Sequence, residues 1–168
     1  MRIRTSLFLG LLVGCAGSPA HRTQPLDPEQ AAAYKLDRSF YAKTAVAQGI
    51  LIASSARGPD VAHFEAAHLF ERVLENIAPA VARRVREDGV LCVLLGHQEL
   101  TSEVPQFATD KTGKDLDFYN WRQRGFLTRQ DKRRIFLFAE EDVLEYEGGM
   151  RQESILIHEL AHVIHAAG

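Results

Sequence analysis

Apolar and polar positions alternate with different periods along the chain, and the changes of period mark its elements. Residues 29–48 are alanine-rich and carry Tyr34, Phe40 and Tyr41, a pattern that predicts a helix stopped near Gly49. Ile50-Leu-Ile-Ala53 predicts a short buried strand. Gly58-Pro59-Asp60 opens a second predicted helix reaching about Ile77. Its apolar stripe is Val61, Phe64, Leu69, Phe70, Val73, Leu74 and Ile77. A short helix follows from Pro79 and ends at Asp88-Gly89. Val90-Leu-Cys-Val-Leu-Leu95 is β-rich and continuously apolar, as expected of a central strand. Residues 105–130 mix Pro, Gly, Lys, Asp and Arg around Phe118, Tyr119 and Trp121 and predict a long surface excursion. Arg134-Ile-Phe-Leu-Phe138 is a further strand, and an acidic stretch from Glu140 to Met150 leads into a last helix over roughly 151–166. That helix has no polar face apart from its histidines and Glu159, which predicts a place in the core. No internal repeat is present.

The first residues have a different character. Met-Arg-Ile-Arg and the apolar run Leu7–Val13 form a basic n-region and a short h-region, too short to span a bilayer. The run ends Leu12-Val13-Gly14-Cys15-Ala16, which resembles a bacterial lipobox. On that resemblance residues 1–14 are a lipoprotein signal peptide and Cys15 is lipidated. An ordinary secretory leader cut nearby is the other reading, and both place the domain outside the cytoplasm. The lipidated version tethers the protein to a membrane. Ala16 after the cysteine is similar to outer-membrane lipoproteins, if the host has two membranes. The small, polar, proline-rich residues 15–28 then read as a tether, and 29–168 as one domain.

Composition adds bounds. With 168 residues, 46% apolar and 25% charged, the chain supports one globular core. Its net charge of −2 falls to −4 if Arg2 and Arg4 leave with the leader, so nucleic acid is not an expected partner. The short basic runs at Arg83–Arg86 and Lys132–Arg134 read as solvated faces. With Cys15 lipidated, Cys92 is the one remaining thiol. It lies in an apolar strand with no activating base beside it, so it reads as inert and buried.

The candidate chemistry is His158-Glu159-Leu160-Ala161-His162. Histidines four apart share a helix face, so both imidazoles can reach one ion, and the adjacent carboxylate can take a proton from water at that ion. The segment Ser154–His165 with this motif resembles the zincin superfamily of zinc metallopeptidases. The likeness to a secreted bacterial zincin-like group covers most of residues 45–167. It runs through Gly49-Ile-Leu-Ile-Ala-Ser-Ser, the Val90–Leu95 strand, Trp121-Arg-Gln-Arg-Gly125 and Ala139-Glu-Glu-Asp-Val-Leu144. The resemblance implies an α+β, zincin-like subdomain: a small sheet packed by helices, with the motif helix at its C-terminal end. It also implies a Zn2+ cofactor on His158 and His162, Glu159 as general base, and a peptide or protein substrate lying along the strand before the motif helix, here Arg134–Phe138.

A catalytic zinc needs three protein ligands and an open position. The metzincin spacing would require Gly at 165 and His at 168, whereas the chain has His165 and Gly168. His165 shares a face with His158 and His162, but it lies seven residues, about 10.5 Å of rise, from His158. It reads better as a supporting residue than as the third ligand. His97, Glu140 and Glu141 are upstream candidates. His63 and His68, five apart on one helix, should face different ways, and His21 lies in the tether. A missing third ligand leaves three alternatives: a shortened gene product lacking a C-terminal subdomain, a degenerate zincin without catalysis, or a zinc completed by a partner subunit. The first fits best a helix so apolar that it must leave surface uncovered. The rival function is a non-catalytic, lipid-anchored binding protein with a degenerate zincin fold.

Overall fold

The computed structural model describes residues 22–144 and 153–168; Cys15, the leader and His21 lie outside the described residues, as does most of the acidic connection after Leu144. The fold is mixed α+β, with five α-helices and one six-stranded mixed sheet among the described residues. The strands are β1 (Gln24–Pro25), β2 (Lys43–Ala47), β3 (Ile50–Ser54), β4 (Leu91–Leu95), β5 (Phe126–Gln130) and β6 (Arg133–Ala139). Their spatial order is β1-β2-β3-β4-β6-β5. The central strands β3, β4 and β6 are parallel, with Ile52 opposite Cys92 and Cys92 opposite Phe136. Antiparallel hairpins close both sides, β2 on β3 and β5 on β6.

Parallel strands in the middle of a sheet are covered on both faces, which explains their unbroken apolar runs. Successive side chains alternate between faces. Ile50, Ile52, Cys92, Leu94, Phe136 and Phe138 join one core with α2 (Asp60–Glu75), α3 (Pro79–Glu87) and α5 (Ile155–Ala167). Leu51, Ala53, Leu91, Val93, Ile135 and Leu137 join the other, beneath α1 (Pro28–Tyr34), Tyr41 and the 3-10 turns after β4. Cys92 is fully buried, and burial pushes its thiol pKa well up. No helix among the described residues is long and apolar enough to cross a membrane.

Three regions differ from the pattern read along the chain. The helix expected over 29–48 is only the seven-residue α1, capped by the Asp27 side chain and stopped by Lys35 in the left-handed region. Its second half is β2, which turns through Gln48-Gly49, both at positive φ, to pair with β3 as a tight hairpin. The expected excursion over 105–130 is also ordered. It contains α4 (Gly113–Arg122) and the edge strand β5. Within the span read as a tether, Gln24-Pro25 pairs with β2 and Leu26 is buried, so those residues belong to the packed domain.

α2 also packs differently. Ala62, His63, Ala66, Ala67, Phe70 and Leu74 form its inner face, while Val61 and Phe64 are exposed. His63 points inward and His68 outward, as their spacing of five requires. The His63 Nδ1 lies 3.0 Å from the Pro59 carbonyl, and its Nε2 lies 3.2 Å from Ser54 Oγ. Burial holds its pKa below the ordinary value, partly offset by the Pro59 carbonyl. An unfolded chain therefore binds a proton that the folded one refuses. This contribution to stability is fully present above about pH 6.5 and is lost as pH falls toward the lowered folded value. The unfolding free energy from urea titrations should decline below that pH with a slope of up to about 1.4 kcal/mol per pH unit. His63→Gln should flatten that decline, and an identical pH dependence in the two proteins would exclude His63 as its source.

Candidate metal-binding and catalytic site

α5 begins where the Ser154 side chain accepts from the Ile157 backbone N–H, and it ends at Gly168. Leu156, Glu159, Leu160, Val163 and Ala167 recur every three or four residues and are buried against β6 and α3. The opposite face, with Ile157, His158, Ala161, His162 and His165, is exposed. The expectation that the whole helix lies in a core is thus corrected. Apolar content alone does not surround a helix with neighbours, and here only one side is covered.

On the exposed face, His158 Nε2 and His162 Nε2 lie 3.1 Å apart. Two imidazole nitrogens at about 2.0–2.1 Å from a tetrahedral zinc would be separated by about 3.3 Å, so this pair has the spacing of two zinc ligands. Behind the first ring, His158 Nδ1 lies 3.5 Å from a Glu153 carboxylate oxygen. A carboxylate at that nitrogen would orient the ring if Nε2 held an ion. Glu153→Gln should weaken zinc binding about tenfold, as measured by competition with a chromogenic chelator. An unchanged affinity would remove Glu153 from this role.

Glu159 sits one position on, at the edge of the buried face. Burial pushes its carboxyl pKa up, while His158 and His162 pull it partly back. Gly125 passes directly over it. A Cβ built at Gly125 would lie 2.4 Å from Ile155 Cγ2 and 3.3 Å from Glu159 Oε1, so only glycine lets the α4–β5 link cross here without displacing Ile155. A cleft of about 420 Å3 opens beside this crossing. Its walls are Phe118 and Trp121 from α4, Ile155, His158 and Glu159 from α5, and Glu141 and Asp142 from the turn after β6.

Arg124 holds that cleft together. Its guanidinium donates to both Glu141 carboxylate oxygens, to the Glu99 carbonyl at 2.6 Å, and to the Gly96 and His97 carbonyls at 3.1 and 3.2 Å. One planar fork thus joins the α4–β5 link, the loop after β4 and the turn after β6. Below it, the fully buried Glu99 carboxylate accepts from the Gly96 amide, Arg57 Nε and the Ser55 hydroxyl. The sequence reading assigned no role to Arg124 or Glu99. The one signal was Arg124-Gly125 itself, within the Trp121–Gly125 segment.

The remaining candidates fall elsewhere. Glu141 is committed to Arg124, His97 Nδ1 lies 3.5 Å from it, and Glu140 is buried, which raises its pKa. His165 is exposed on the last turn of α5. Among the described residues, no group of three His, Cys, Asp or Glu side chains is placed to hold an ion, so none of these joins His158 and His162 as a third ligand. The strand assigned to border the cleft is also corrected. Arg134–Phe138 lies in β6, which is enclosed between β4 and β5, and among the described residues β5 is the edge strand on that side. In comparison with known proteins, the chain matches no family model, no curated protein and no solved structure.

Proposed function

We propose that this protein is a zincin-like, zinc-dependent peptide hydrolase of the cell envelope, anchored to the membrane through a lipid on Cys15. The observation that carries this reading is the pair of Nε2 atoms 3.1 Å apart beside a buried carboxylate that lines a cleft. His158 and His162 hold the ion, and Glu153 orients the first of them. When bound, zinc lowers the pKa of a coordinated water to roughly 7 and polarises a carbonyl. Glu159 accepts the proton of the attacking water, assisted by a basicity that burial has raised, and returns it to the leaving amine. Among the described residues β5 is the edge strand on this side of the sheet, where an extended peptide would add.

A second reading draws on the presence of two donors rather than three among the described residues. On it, the protein is a non-catalytic, lipid-anchored binding protein with a degenerate zincin fold. Metal content separates the two. Purified protein should carry close to one zinc per chain, and His158→Ala or His162→Ala should lose it. Wild-type protein free of zinc by elemental analysis would remove the hydrolase. A zinc held by two protein ligands only, as counted by X-ray absorption, would favour the binding protein.

A further inference from the structure

Resting on the hydrolase reading, we propose that the cleft between α4 and α5 selects peptides with a bulky apolar side chain, aromatic above all, next to a carboxylate. The side chain lies between Trp121 and Ile155, and the carboxylate faces Arg122. Phe118 and Trp121 are three residues apart on α4 and share a face. They are 57% and 54% exposed, whereas Phe70, Phe136, Phe138 and Tyr41 are fully enclosed.

This exposure does not come from a loosely held helix. α4 is pinned by its other side, where the Tyr119 hydroxyl donates to the Phe107 carbonyl at 2.6 Å and the Asn120 side chain accepts from the Ser102 amide. The two rings are therefore held outward, over the cleft that also contains His158 and Glu159. An exposed indole and phenyl facing an apolar Ile155 lose water-contacting surface when an aromatic side chain enters. The cleft volume of about 420 Å3 falls within the range of small-ligand pockets.

Charge sets the neighbouring position. Glu141 is neutralised by Arg124, Glu153 faces His158, and Asp142 is engaged in an interaction of its own. Arg122 lines the same cleft with its side chain exposed, and among the described residues it has no acidic partner, so it is placed to meet a substrate carboxylate.

Trp121 is the chain's one tryptophan, so its fluorescence reports occupancy directly. The full chain is titrated with the blocked peptide Ala-Ala-Phe-Asp-Ala, in EDTA to prevent turnover and again with zinc in the Glu159→Gln protein. Binding should blue-shift the emission. Exchanging the peptide's Phe for Ala should weaken binding about ten- to a hundredfold, and Asp for Lys about two- to fivefold. Phe118→Ala should lose about tenfold for the Phe peptide with zinc content unchanged. Equal affinities for the Phe and Ala peptides, or emission unmoved by any peptide in a zinc-retaining protein, would overturn the cleft proposal and leave the hydrolase reading standing. Discrimination by a protein that holds no zinc would do the reverse.

Discussion

Glu159→Gln is expected to reduce peptide hydrolysis by about a hundred- to ten-thousandfold while the protein keeps its zinc. The amide has nearly the shape of the carboxyl, so it fits beneath Gly125 and against Ile155 without a new contact. It cannot accept the proton of the attacking water. Because burial raises the native carboxyl's pKa, its replacement also removes a costly buried charge, and folding should not suffer. The measurement is turnover on a generic protein substrate alongside zinc content. Turnover equal to wild type would refute Glu159 as the base. Loss of both zinc and turnover would instead make Glu159 a residue that holds the site together.

Arg124→Met is the substitution with the largest expected cost in stability, about 3–5 kcal/mol. The Arg124 and Glu141 side chains are only 10% and 7% exposed. Removing the guanidinium strands a buried carboxylate and takes a donor from three backbone carbonyls, of which Gly96 still accepts from the Glu99 N–H. The melting temperature should fall by roughly 10–20 °C. Arg124→Met combined with Glu141→Leu should recover much of the loss, because the stranded charge is gone. A single variant within about 1 kcal/mol of wild type in urea would show that the network carries little of the fold. Turnover, where measurable, should decline in the single variant before it unfolds. Gly125 reaches Glu159 only because its neighbour is clamped to the loop after β4 and the turn after β6.

How much was legible follows from where each signal resides. β3, β4 and β6 announce themselves because strands buried on both faces carry apolar residues at every position. α2 and α3 begin at prolines and end at Asn76 and Asp88, and such local stops are readable. β5 is not readable. Phe126-Leu-Thr-Arg-Gln130 is an edge strand with four exposed positions, so no burial pattern marks it. β2 was lost inside an alanine-rich stretch because Lys43-Thr-Ala-Val-Ala47 has the composition of a helix and acquires its conformation by pairing with β3. Arg124 escaped notice because its partners lie 17 to 28 residues away and meet it only when three loops converge.

Sequence alone placed His158 and His162 one turn apart with Glu159 beside them, because the helical period is a local property of the backbone. It also marked Val90–Leu95 as a central strand, since an unbroken apolar run is written residue by residue. Tertiary structure alone decided which side of α5 is covered, turning the histidines to solvent and sinking Glu159 toward Gly125. It likewise put two exposed rings of α4 across from the motif and gave Arg124 its five acceptor atoms. These are contacts between segments distant along the chain, and no local pattern encodes which segments will meet.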